Sequence, residues 1–83
     1  MKELEDKIRE YIEHLYNAKL TAKMTVSKID DIYELKLDMP IEDIPTIISL
    51  QTDDENEFFC YICEEFRKRN YMRIQFYNVK RTN

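Results

Sequence analysis

The chain has 83 residues, 43% hydrophobic and 36% charged, with a net charge of −4 and no glycine at all. Average usage would give about six glycines in this length, and only glycine takes positive φ freely or lets a backbone approach a phosphate closely. Walker loops, dinucleotide fingerprints and the GXXG clamp of KH domains therefore have no means of forming in their usual shape.

Six Tyr and four Phe make the composition too apolar for a disordered tail. A chain of this size buries only about 60–65% of its unfolded surface, so residues 1–83 are read as a single small domain with one thin core. Positive-φ positions must fall to Asn or Asp, with Asn17, Asp30, Asp31, Asn70 and Asn78 as candidates. Residues 1–20 are charged throughout and lack the apolar run of a signal peptide. Ile44–Thr52, the longest stretch without a charge, is far too short to span a membrane. Two cysteines and no export signal fit a reducing cytoplasm.

In chain order, Leu4, Ile8, Tyr11, Ile12, Leu15 and Tyr16 form one apolar stripe at helical period over Lys2–Asn17. From Leu20 the period becomes two. Leu20, Ala22, Met24 and Val26 alternate with polar residues, and so do Tyr33, Leu35, Leu37 and Met39, with Asp30-Asp31 as the turn of an antiparallel hairpin. Pro40–Gln51 reads two ways. Ile41, Ile44 and Ile48 fit one or two irregular helical turns, the preferred reading, whereas Thr46–Leu50 fits a short strand. Thr52 and Glu55 have the spacing of a capping box for a second helix, along which Phe58, Phe59, Ile62, Cys63 and Phe66 form a stripe. Arg67, Lys68 and Arg69 are placed in its last turn, with Asn70 as the exit. Met72, Ile74 and Phe76 alternate with Arg73, Gln75 and Tyr77, which predicts a last strand.

The expected fold is a two-layer α+β domain, α-β-β-(short turns)-α-β. A right-handed crossover predicts a three-stranded antiparallel sheet in the order 2-1-3, with both helices on one face. The expected core joins Phe58, Phe59, Ile62 and Phe66 to Leu35, Leu37, Ile74 and Phe76.

Few residues carry a chemical signature. Cys60-Tyr61-Ile62-Cys63 is a C-x-x-C, but its position in mid-helix is remote from the helix-terminal field that activates redox pairs. Two sulfurs fall short of a four-coordinate zinc site unless a symmetric dimer doubles them, and packing is the favoured role. His14 lies on the polar side of the first helix beside Glu10 and Glu13, with no nucleophile in need of it. Close carboxylate pairs such as Asp30-Asp31, Glu42-Asp43, Asp53-Asp54 and Glu64-Glu65 are expected where acids are so many, and a thin fold offers little cleft to tune them. Neither a cofactor nor a catalytic set is expected.

Charge is unevenly spread. Met1–Phe66 holds seven Lys/Arg against seventeen Asp/Glu, while Arg67–Asn83 holds six Lys/Arg and no acid. Two unlike faces and many aromatics favour a non-catalytic protein-binding module, an accessory or inhibitor-like protein, that presents either its open sheet face or its acidic helices, the first helix and Asp53–Glu57 resembling a phosphate backbone in charge. Arg73, Gln75, Tyr77, Lys80 and Arg81 are the candidate interaction residues. The alternative is a single-stranded nucleic-acid binder that stacks bases on that basic, aromatic last strand. A homodimer is expected through an edge strand, Tyr33–Met39 or, preferably, Tyr71–Val79, with Tyr11, Tyr16, Tyr61, Tyr71 and Tyr77 only partly covered.

Overall fold

The computed structural model describes the backbone of residues 1–38 and 46–81, and side chains over 1–38 and 46–71. The elements run α1 (Lys2–Tyr16), β1 (Met24–Ile29), β2 (Ile32–Leu37), β3 (Thr46–Gln51) and α2 (Glu55–Arg81). It is a two-layer α+β fold with a three-stranded antiparallel sheet.

α1 forms for the reason its stripe implied: Leu4, Ile8 and Ile12 are buried along one side. It ends at Asn17, whose φ of 53° is left-handed, and the Asn17 and Ala18 amides turn back to the Glu13 carbonyl. The hairpin turn likewise uses Asp30 at φ 57°, and these two are the only non-glycine positive-φ residues described. Asparagine and aspartate thus do the work that glycine does elsewhere.

Three expectations are corrected. Thr46–Gln51 is a strand, not helical turns, because it pairs along its whole length with β2. The sheet order is therefore β1-β2-β3, a simple meander rather than 2-1-3, with β2 in the centre. Residues 39–45, which include the rest of the Pro40–Gln51 stretch, lie outside the described residues. The expected last strand is instead the second half of α2, which runs unbroken past Asn70 to Arg81. No glycine or proline interrupts it, and adding a residue to an existing helix costs far less than starting a new element.

The start of α2 also moves two residues. Asp54 is its N-cap, accepting the Asn56 amide at 2.9 Å through Oδ1 and the Phe58 amide at 3.1 Å through its carbonyl. The Thr52 hydroxyl accepts the Asp54 amide at 3.1 Å and donates to Glu57 at 2.8 Å.

Alternation puts Met24, Val26, Tyr33, Leu35, Leu37 and Ile48 on one face of the sheet, where both helices cover them. Phe58, Ile62 and Phe66 from α2 meet Leu4, Ile8 and Ile12 from α1 in that core. The Phe58 ring stacks on Tyr33 at 5.1 Å between centroids, and the partly buried Phe59 is held edge-on by Tyr11 at 6.4 Å with the Lys7 ammonium above it at 4.6 Å. The expected core is thus present in Phe58, Ile62, Phe66, Leu35 and Leu37, while the side chains of Ile74 and Phe76 lie outside the described residues. A 27-residue helix is about 40 Å long, twice the roughly 20 Å of a six-residue strand. The molecule measures 49 × 22 × 21 Å accordingly.

Candidate interaction surface

The two edges of the sheet differ, and the difference originates in α1. Glu5, Arg9 and Glu13 recur at four-residue spacing beside the apolar stripe, so they share one flank of the helix. That flank runs along β1 and the segment leading into it. Glu5 accepts the Val26 amide at 2.9 Å. The Arg9 guanidinium donates to the Leu20 carbonyl and, at 3.2 Å, to the Ala22 carbonyl. Glu13 accepts the Leu20 amide at 2.9 Å. Within β1 the Val26 amide, an outward group that an added strand would need, is thereby satisfied, and the segment before it is tied to the same helix flank, a means of protecting an edge.

Among the described residues, β3 has no such seal. The Thr52 amide bonds the Asp31 carbonyl at 2.8 Å, and backbone groups alternate in direction along a strand. Even-numbered positions of β3 therefore point their amides and carbonyls at β2, and Ile47, Ser49 and Gln51 point theirs outward. Among the described residues, no backbone or side-chain group bonds to those outward amides and carbonyls. The same three side chains are exposed on the helix-free face of the sheet.

That face has three cross-strand rows. Thr25, Lys36 and Ile47 form one, Ser27, Glu34 and Ser49 the next, and Ile29, Ile32 and Gln51 the last. Its charge nearly cancels, and its isoleucines are open to solvent: Ile29 is 72% exposed, Ile47 55% and Ile32 46%. β-Branched side chains suit a strand whichever face they occupy, so their exposure does not prevent folding. Ile29 and Ile32 share one corner and Ile47 occupies the opposite one. Gln51 is anchored to the Asp31 carboxylate at 2.9 Å.

The sequence-predicted interaction residues are distributed otherwise than a strand would place them. Arg73, Gln75, Tyr77, Lys80 and Arg81 lie on the helical backbone of α2. Positions 73, 77, 80 and 81 share one side of a helix by register, with 75 opposite. A flat stacking sheet at 71–77 is absent. Either predicted dimer edge is corrected too: Tyr33–Leu37 belongs to the central strand, and Tyr71–Val79 is helix. Tyr11, Tyr16 and Tyr61 are half-buried and Tyr71 is exposed; the side chain of Tyr77 lies outside the described residues.

Cys60 is exposed and Cys63 buried, and both are free thiols. Burial pushes the Cys63 thiol above its ordinary range. The neighbouring Cys60 adds to the rise, while Arg67 and Lys7 oppose it. A buried, protonated sulfur is a poor nucleophile and metal ligand, so the C-x-x-C presents one usable thiol rather than two. Among the described residues, no three His, Cys, Asp or Glu side chains gather as a metal site would require. His14 is exposed near the end of α1. Among the described residues, the shallow hollow beside Glu64, Arg67, Lys68 and Tyr71 is lined by α2 alone. No helix among the described residues is long and apolar enough to cross a membrane.

The edge of β3 was not singled out by sequence reasoning, because the strand itself was read as helical turns. Six residues free of charge, Thr46–Gln51, in a chain that is 36% charged were the available signal. In comparisons with known proteins, the chain matches no family model, no curated protein and no solved structure.

Proposed function

We propose that this chain is a non-catalytic protein-binding module that engages its partner by strand pairing at the β3 edge. The observation that supports this reading is the contrast between the edges: Glu5 of α1 holds the Val26 amide of β1, with Arg9 and Glu13 bonded to the segment leading into it, and no α1 side chain bonds to β3. An extended segment laid against β3 would satisfy the outward amides and carbonyls of Ile47, Ser49 and Gln51. Its alternate side chains would lie beside Ile47 on the open face, the arrangement of strand-addition recognition. Panning a random heptapeptide display library on the immobilised protein tests this, with Ser49→Pro as counter-screen. The Ser49 amide faces away from β2, so proline there removes an outward donor while leaving the β2–β3 ladder its bonds. Peptides that bind the native chain and not the variant support strand addition. Peptides that bind both equally, or none at all, refute it.

The alternative reading, a single-stranded nucleic-acid binder, draws support from the six cations and no acids of Arg67–Asn83. On a helix those cations would grip phosphates without a stacking platform, so affinity would fall steeply with salt and show little base preference. Fluorescence polarisation with a labelled single-stranded oligonucleotide measures this directly. Micromolar, salt-sensitive binding would favour it over strand addition.

A further inference from the structure

We infer that the occupant of the β3 edge is a second copy of this chain, paired antiparallel about a two-fold axis at Ser49. This rests on the strand-pairing reading and names the partner.

The outward positions of β3 are symmetric about Ser49, with Ile47 and Gln51 two residues to either side. A two-fold there sets Ser49 against the Ser49 of the second copy, and Ile47 against its Gln51. All outward amides and carbonyls of both strands are then used, in about six backbone hydrogen bonds, and the two three-stranded sheets become one continuous sheet. Charge permits this contact. The chain is net negative, yet Thr46–Gln51 carries no ionisable side chain, so no like charges face each other across the seam. The nearest acids on the open face, the two copies of Glu34, are three strand spacings apart, about 14 Å and beyond the Debye length at physiological salt.

The open face is self-complementary as well. On one copy, Ile29 and Ile32 sit in the row ending at Gln51, while Ile47 sits at the far corner. The two-fold brings the Ile47 of the second copy into that row, beyond Gln51, and does the same in reverse. Each copy's separated isoleucines thereby enter two mixed rows running across the joined sheet. An unrelated peptide would fill the hydrogen bonds but not this pattern.

The test uses the whole chain. Native protein should double its 10.2 kDa mass in light scattering as concentration rises from micromolar to millimolar. Ser49→Pro and Ile47→Lys should each remain monomeric with an unchanged circular dichroism spectrum. The second variant leaves the backbone intact, in case proline disturbs the strand. In a Cys60→Ser background, Ser49→Cys should oxidise to a covalent dimer, since paired positions there stand about 5.5 Å apart, within disulfide range. Thr25→Cys, equally exposed but on β1, should not. A native chain that stays at monomer mass throughout overturns the second copy as occupant, and so does a dimer that survives both edge variants. If the chain stays monomeric while Ser49→Pro still abolishes selected peptide binding, the self-pairing fails and the strand-binding module stands.

Discussion

The Glu5 carboxylate lies 2.9 Å from the Val26 amide, joining residues twenty-one positions apart and occupying an outward backbone donor of edge strand β1 with a helix side chain. Such a charge-assisted bond to a partly buried backbone donor leaves that donor unpaired if the carboxylate is removed. Glu5→Ala should therefore cost about 1–3 kcal/mol, whereas Glu5→Gln, which keeps an acceptor oxygen in place, should lose less. Urea denaturation of the two variants checks the order. Equal midpoints for Glu5→Ala and the native chain would mean that water serves Val26 as well.

Tyr33 and Phe58, stacked at 5.1 Å and 19° between planes, join the central strand to the first turn of α2. Phe58 is fully buried, and truncating a buried phenylalanine costs about 3–5 kcal/mol. Total stability for a small domain is about 5–15 kcal/mol, and a thin core sits at the low end. Phe58→Ala and Phe66→Ala should each leave the chain largely unfolded at 37 °C, while Tyr33→Phe, which preserves the ring stack, should melt close to native. Thermal melts by circular dichroism decide this, and a folded Phe58→Ala would remove α2 from the core described above.

The two thiols should separate kinetically. Exposed Cys60 should react with a thiol reagent at once, and buried Cys63 only as the chain opens. The pH dependence follows from the raised pKa of Cys63. Its protonated form is favoured in the fold, so its contribution is complete below the ordinary thiol value of 9.0 and is lost as pH rises through the higher folded value. The stability difference between native protein and Cys63→Ala should accordingly shrink in alkaline buffer. Two equally fast thiols at neutral pH would contradict the burial.

How far the fold was legible in the sequence depended on element length and on breakers. The α1 stripe spans four turns, and both hairpin strands alternate cleanly around Asp30, so their period is unambiguous over many residues. At Met72–Tyr77 the alternation lasts only six residues, a window in which helical and extended patterns overlap. With no glycine or proline after Phe66, nothing stopped the helix. Thr46–Gln51 was misread because Ile41, Ile44 and Ile48 mimic helical spacing, although β2 offered an unpaired side that only an extended segment fills. The candidate surface was hidden for a related reason. Glu5, Arg9 and Glu13 look like any solvated helix flank until the fold brings Leu20–Val26 against them. Which edge stays open is a tertiary fact.

Hydrogen exchange gives the sharpest check on that edge. Even-numbered amides of β3, Ile48 and Leu50, are directed at β2, and Thr52 continues the pattern onto Asp31 at 2.8 Å. Ile47, Ser49 and Gln51 have no described partner for theirs. In dilute protein the six-residue strand should show alternating protection, slow at 48, 50 and 52 and fast at 47, 49 and 51, because an amide exchanges through the opening of whatever bond it makes. Raising the concentration should slow the odd positions selectively if a second copy pairs there, with the even positions unchanged. On β1, Val26 should be slow at every concentration because Glu5 holds it. Uniform protection along β3 in dilute solution would mean that its edge is already covered within the chain, and strand pairing would then have no free surface on which to act.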